Sequence, residues 1–226
     1  MKNRYIHIFS FVAALLMLAT FSACEADDKI VFVTGTTTEP EPEPEPDPEL
    51  DKENGHAYVD LGLSVKWATC NVGANSPEGY GDYFAWGEIT PKTTHSSSNY
   101  SYSGNPTVLP LGNDAAHANW GGSWRMPTYA EWTELRTECT WKWTTQNGVN
   151  SCKVTSKSNG NSIFLPAAGY LNVGSLYYAG SYGYYWSSSL NTGNPYDAWY
   201  VSFNSRDVFS NYSNRGCGFA VRPVCP

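Results

Sequence analysis

Between Tyr58 and Gly73 the chain reads YVDLGLSVKWATCNVG, short apolar runs broken by glycine, with valine, tryptophan and threonine recurring. Such runs predict short strands. Residues 74–123 are rich in glycine, serine, asparagine and proline, which predicts mostly loop. One helix is predicted, over MPTYAEWTELRTEC. Thr128 is its N-cap, Glu131 completes a capping box, and Trp132, Leu135 and Cys139 share one buried face. A hairpin follows in which Trp141 and Trp143 alternate with polar residues, Asn147-Gly148 makes the turn, and Lys153–Ser156 returns. Asn161–Tyr170 is a further short strand, ended by Pro166. Ala198–Phe203, Val208–Tyr212 and Gly218–Val224 are others. Alternation in AWYVSF puts Trp199, Val201 and Phe203 on one face and Tyr200 and Ser202 on the other. Trp186, Trp199 and Phe203 are assigned to the core.

The first 50 residues have a different character. Lys2 and Arg4 precede the apolar, uncharged run Ile6–Leu18, and FSAC closes the segment at Cys24. This is the pattern of a signal peptide, residues 1–23, with small residues before a cysteine that becomes lipidated. EADDK then resembles the acidic export tag of Bacteroidetes-type surface lipoproteins. The run TTTEPEPEPEPDPEL completes a tether over residues 24–50. Its alternating prolines favour an extended polyproline II spacer, about 45 Å for 15 residues at ~3.1 Å each. These features place the protein at the outer membrane, lipid-anchored through Cys24 and exposed at the cell surface, with no other membrane contact.

The net charge is concentrated in that tether. Residues 25–50 hold nine acids and one lysine, whereas residues 51–226 hold 12 acidic and 11 basic side chains, within a net charge of −7 for the whole chain. A nearly neutral domain has no electrostatic footprint for nucleic acid. Residues 51–226 are enough for one hydrophobic core. They contain five cysteines, an odd number, so at least one is unpaired within the domain. Cys70 is expected to bridge Cys139, the strand near the domain's start meeting the end of the helix, or Cys225 if the terminal strands pair. Histidines are isolated and no CxxC is present, so no metal or other cofactor is expected.

Several longer segments, VDLGLSVKWATCNVGA, YGDYFAWGE, WGGSWRMPTYAEWTEL, KVTSKSNGNSIFLPAAGY, YYWSSS and VRPV, resemble the Fibrobacter succinogenes major paralogous domain. The resemblance spans residues 56–225. WRMPTYAEW and GFAVRP are similar, more distantly, to segments of formylglycine-generating-enzyme-like proteins and of the variable proteins of diversity-generating retroelements. Those relatives imply an α+β, C-type lectin-like fold with one main helix, short twisted antiparallel sheets, paired chain ends and long loops. The oxidase relatives hold copper through a cysteine pair. Cys217 and Cys225 lack the surrounding motif, and no nucleophile–base pair stands out, so no enzyme activity is expected. Calcium-dependent sugar binding would need a fuller oxygen ligand set than Asn194, Asp197 and Asn204 supply, and those are ordinary turn formers.

The chemistry that remains is in the C-terminal third. From Tyr170 to Arg215 there are nine tyrosines, nine serines and six asparagines, and no lysine follows Lys157. Antibody loops use the same palette, because tyrosine gives large amphipathic contact at low entropy cost while serine and asparagine adapt their hydrogen bonds. The candidate ligand-binding residues are Tyr177, Tyr178, Tyr182, Asn191, Asn194, Tyr196, Asp197, Asn204, Arg206, Asp207, Phe209, Asn211, Tyr212 and Asn214. The retroelement resemblance implies a means of varying them, since adenine-directed mutagenesis of asparagine codons reaches Tyr, Ser, Asp, His, Phe or Cys. The expected function is ligand binding, as an adhesin or receptor-like display protein whose partner is a protein or glycan on another cell, phage or host surface. A structural subunit of a surface fibre or envelope complex is the alternative.

Overall fold

A buried arginine near the C-terminus, Arg222, donates from all three guanidinium nitrogens. It bonds to Asn71 Oδ1, to the carbonyls of Ala68 and Thr69, and to the carbonyl of Phe164. Those acceptors belong to segments far apart in sequence, and the sheets are arranged around them. The computed structural model describes residues 50–226, which belong to one compact unit. The expected signal peptide, Cys24 and all but the last residue of the tether lie outside the described residues.

The first sheet orders β1 (Lys52–Glu53), β2 (His56–Val59), β3 (Lys66–Ala68) and β14 (Val224–Cys225). The antiparallel pairing of β14 with β3 sets Val224 opposite Trp67, so the two ends of the domain meet. The second and largest sheet contains β4 (Tyr83–Phe84), β10 (Gly183–Leu190), β11 (Asp197–Phe203), β12 (Val208–Asn214) and β13 (Phe219–Ala220), in the order β12-β11-β10-β13-β4. A third sheet orders β5 (Cys139–Gln146), β6 (Val149–Ser156) and β7 (Ser162–Pro166). β8 (Tyr170–Asn172) and β9 (Ser175–Tyr177) form a separate hairpin. Among the described residues the α-helices are α1 (Ala115–Trp120) and α2 (Tyr129–Glu138). The class is α+β and mainly β.

Helix α2 starts as the spacing predicts. Thr128 Oγ1 accepts from Glu131 N while the Glu131 carboxylate accepts from Thr128 N, and Trp132 and Leu135 are buried. Cys139 leaves the helix and opens β5. The Asn147-Gly148 turn has both residues at positive φ, 48° and 80°, and joins β5 to β6. Two clusters pack on opposite sides of the large sheet. One gathers Trp67, Trp132, Leu165, Tyr185, Val201 and Phe203; the other gathers Phe84, Trp86, Trp124, Trp186, Phe219 and Val221. Successive residues of β10 thus enter different cores, and the strand is buried on both faces. Three indole N–H groups at this seam have a carbonyl: Trp86 donates to Ser187, Trp132 to Trp186, and Trp186 to Phe84, whereas Trp67 Nε1 is buried without a partner.

Three expectations are corrected. Residues 74–123 are mostly loop, but they also carry β4 and α1. The buried Asp114 carboxylate caps α1, accepting from Ala116 N, His117 N and Met126 N. Six residues with no apolar period give no periodic signal. Second, neither expected disulfide is formed: all five described cysteines are free. Cys139 lies in the first core cluster, whereas Cys70 and Cys225 belong to the second. Burial pushes the Cys139 thiol up to about 11 and the Cys152 thiol up to about 12. Third, Trp199 is half-buried, not core. Its alternation is right, but it sits beyond the packed stretch, against Tyr129 at 4.5 Å and Tyr212 at 5.5 Å.

Replacing Arg222 with methionine keeps the apolar volume and strands four buried acceptors. Each unsatisfied group costs about 1–3 kcal/mol, so a loss of at least ~3 kcal/mol is expected. A urea unfolding midpoint that stays at the wild-type value would refute it.

Candidate functional site

The hairpin β8–β9 and the margin of the second core cluster on β10 and β11 bring together tyrosines from four segments. Phe219 is buried at the base, with Tyr200 at 4.9 Å, Tyr184 at 5.4 Å and Tyr170 at 5.8 Å from its ring. These three tyrosines are half-buried. On them rest Tyr177, stacked on Tyr170 at 5.3 Å, and Tyr178, which lies 6.1 Å from Tyr170 and 5.4 Å from Tyr182. Tyr182 in turn stacks on Tyr184 at 6.0 Å. The result is a graded aromatic surface: buried base, half-buried middle, exposed top. Stacked and edge-to-face pairs contribute about 0.5–1.5 kcal/mol each beyond area burial, so the rings arrive pre-ordered.

Backbone strain concentrates beside this surface. Val173 and Gly174 turn the β8–β9 hairpin with φ of 47° and 74°. A β-branched residue at positive φ is an outlier, and Val173 is also 67% exposed. Tyr178, 56% exposed, has φ 56°. Each such residue costs on the order of 1–3 kcal/mol, and such strain gathers at functional sites. His95 anchors the hairpin from below. Its carbonyl accepts from Val173 N at 2.7 Å, and its Nε2 lies 3.0 Å from the Tyr83 carbonyl, so Nε2 carries the proton. Nδ1 is buried without a partner.

The surface offers no ionised chemistry of its own. Asp197 is the only charged residue from Ser158 to Asn204. Burial raises the phenol pKa values of Tyr170, Tyr184 and Tyr200, so they remain neutral hydroxyls. Burial likewise raises the thiols of Cys217 and Cys225. Among the described residues no group of three His, Cys, Asp or Glu could hold a metal. No described helix is long and apolar enough to cross a membrane.

The sequence-derived candidates fall into four places. Tyr177, Tyr178 and Tyr182 belong to the aromatic surface. Phe209 and Asn211 on β12 share the strand face of Ser202 and Tyr200, extending it, whereas Tyr212 points to the opposite face and packs edge-on against Trp199. Asn191, Asn194, Tyr196, Asp197 and Asn214 lie at one end of β11, and Asn204, Arg206 and Asp207 at the other. Seven residues at about 3.4 Å each separate the two ends by about 20 Å. Asn194, Asp197 and Asn204 therefore do not converge as calcium ligands. The asparagines also have turns to hold. Asn191 Oδ1 accepts from Gly193 N, Asn204 Oδ1 from Arg206 N and Asp207 N, and Asn214 Oδ1 from Gly216 N, while Asn194 Nδ2 donates to Asp197 Oδ2. Sequence reasoning missed Tyr170, Tyr184 and Tyr200, whose membership of the surface depends on Phe219 beneath them. It also missed Val173, whose signal was a valine at a turn.

A family model described as a domain of unknown function, DUF8237, matches residues 134–224. That span runs from within α2 to β14 and contains the whole aromatic surface together with Arg222. No curated protein and no solved structure matches the chain.

The hairpin's anchor makes a pH dependence. Burial holds the His95 imidazole below its ordinary 6.5; Glu88 pulls it up and Lys92 opposes that. Burial moves His56 the same way. The unfolded chain thus takes up protons near pH 6.5 that the folded state refuses. Stability is complete above pH 6.5 and declines as pH falls below it. Unfolding midpoints at pH 7.5 and 5.5 should differ in that direction, and His95→Gln should shrink the difference. Equal differences in the two proteins would exclude His95 as the group.

Proposed function

We propose that this chain is a surface lipoprotein displaying one ligand-binding domain, with the tyrosine-rich face as its contact surface. On this reading residues 1–23 are removed, Cys24 carries the lipid, residues 24–50 are the spacer, and residues 51–226 bind. The observation that carries it is the graded stack of tyrosines with strained, exposed residues at its top. Neutral phenols desolvate at low cost and offer both ring faces and hydroxyls, the combination favoured at binding surfaces. The partner class is a protein or glycan on another cell, phage or host surface.

A C-type lectin-like fold is part of this proposal. Paired chain ends, a main helix against the large sheet and long loops are consistent with it. On the same basis the surface positions Asn191 to Asn214 are the ones a retroelement would diversify. One feature favours the alternative, a structural subunit: β12 is an outer edge of the large sheet and presents a free ladder to a neighbouring strand. Close homologues separate the two readings. Differences concentrated at Tyr177–Cys217 support display, and uniform drift supports a structural role.

Function and stability should separate by residue. Tyr196→Ala and Phe209→Ala should leave unfolding free energy within about ±0.5 kcal/mol, while Tyr177→Ala, which loses ring stacking, and Tyr178→Gly, which loses ring contacts and relieves the positive φ, should each change it by no more than about 1.5 kcal/mol. Each aromatic anchor at a contact surface should weaken binding by ~2 kcal/mol or more, read against a ligand found on protein and glycan arrays with the mature chain. Trp186→Ala should instead cost ~3–5 kcal/mol of stability. If the four exposed positions destabilise as Trp186 does, the rings are packing and the contact surface is lost as an idea.

Placement has its own test. Cys24→Ala should release the protein from the membrane fraction and abolish palmitate labelling; labelling that persists would refute lipidation at Cys24. Alanine at Asp27 and Asp28 should leave the protein lipidated but protect it from external protease, and unchanged shaving would show that EADDK is no export tag.

A further inference from the structure

Two arginines of the described residues are almost wholly buried, and they are satisfied very differently. Arg222 uses every nitrogen on protein acceptors. Arg215, only 7% exposed, bonds through Nη1 alone, to the Gly104 carbonyl and to Asn105 Oδ1. Its Nε is buried without a partner, and no hydrogen bond engages Nη2. No carboxylate pairs with it among the described residues. The plane is held between rings, with Cζ 5.5 Å from the Trp86 centroid and 5.4 Å from that of Tyr100. A buried guanidinium with one enclosed, unmatched nitrogen, one unpartnered Nη2 and no counter-charge is a costly arrangement.

Arg215 lines a cavity of about 320 Å³ together with Ser97, Tyr100, Tyr102, Tyr196 and Asn214. The walls are fixed. Tyr100 spends its hydroxyl on the Trp86 carbonyl and so presents its ring. Tyr102 is clamped between two glycines: a Cβ at Gly87, whose φ is +81°, would fall 2.2 Å from the ring, and one at Gly104 would fall 2.5 Å from the hydroxyl. Tyr196 is 76% exposed, and its carbonyl accepts from Arg215 N, which ties the mouth of the cavity to its charged base. The volume is at the low end of small-ligand sites, which suits one ring.

We infer that this cavity binds a carboxylated sugar, with the carboxylate on the open side of the Arg215 guanidinium and the pyranose ring between Tyr100, Tyr102 and Tyr196. A carboxylate at Nη2 accepts a charge-assisted hydrogen bond that strengthens as water is excluded, and it supplies the missing counter-charge. Flat aromatic walls suit the apolar face of a sugar ring, and Ser97 and Asn214 supply hydroxyl partners. The inference deepens the binding-module reading and rests on it for a biological role. The site is on the Tyr196 side of the domain, so it can fail separately from the Tyr177–Tyr178 surface.

The test is titration of the mature chain by NMR at pH 7 with glucuronate and with N-acetylneuraminate, using methyl glucoside and acetate as controls. At least one acid sugar should bind, and both controls should be far weaker. Arg215→Gln, and independently the fold-neutral Tyr196→Ala, should weaken it by about tenfold or more, while Tyr177→Ala leaves it unchanged. Methyl glucoside binding as well as the acids would remove the role of Arg215. Acetate competing as well would reduce the site to a bare anion site and overturn the sugar. No binding by either acid, or binding unaltered by Tyr196→Ala, overturns the inference outright. Failure of both acids here together with an array ligand lost at Tyr177 and Tyr178 would sink this site and sustain the tyrosine face; acid-sugar binding here with a silent tyrosine face would sustain this site and sink that face as the contact surface.

Discussion

Everything in this domain depends on how one positive charge is held out of water. Arg222 sits four residues from the end of the chain, with Asn71 and the Ala68–Thr69 carbonyls on one side and β7 on the other. Asn71 also donates to the Tyr185 hydroxyl, which donates in turn to the Pro166 carbonyl. The network therefore joins the first sheet, the centre of the large sheet and the third sheet through side chains. A guanidinium stays charged even when burial pulls its pKa down, so its acceptors cannot be left elsewhere. Short strands of two to eight residues supply few ladder bonds each, and a shared polar node compensates by fixing their relative positions.

That rigidity is what allows an exposed aromatic surface to keep a defined shape. A face of loose tyrosines would lose rotamer freedom on binding, at about 0.5–1.5 kcal/mol per side chain. Here the lower rings are already ordered on Phe219, and Phe219 pairs with Phe84 on β4 and stacks on Trp186 at 4.2 Å. The exposed rings are mostly tyrosines, whose hydroxyls keep the patch wettable where phenylalanine or leucine would invite aggregation. The strain at Val173 and Tyr178 can persist because the hairpin beneath them is bonded to Gly218 and to the His95 carbonyl.

What was legible in the sequence was local. The Thr128–Glu131 box and the Asn147-Gly148 turn are decided by residues within four positions of one another, and both are where the pattern puts them. Alternation in AWYVSF gave the correct faces but misjudged Trp199, because period says which way a residue points and not how far the core extends. The disulfide expectation failed for the same reason: only tertiary structure separates Cys70 from Cys139 into different cores. Residues 177–214 look continuous as text, yet β11 carries their two loops to opposite ends and β12 splits Phe209 from Tyr212 across the sheet.

The contrast between the two buried arginines sharpens where function lies in this fold. Every nitrogen of the Arg222 guanidinium is matched, and each unmatched buried group subtracts from a net stability of only some 5–15 kcal/mol. Trp67 Nε1, Ser151 Oγ and Ser188 Oγ are buried without partners in the scaffold, and two further such atoms involve residues 85–105: His95 Nδ1, on that loop, and Arg215 Nε, whose side chain bonds to the Gly104 carbonyl. Polar defects in a folded protein are expected where something else completes them or where strain is used. The placement of the last two beside the tyrosine hairpin on one side and the Tyr196 cavity on the other ties both proposed surfaces to one segment.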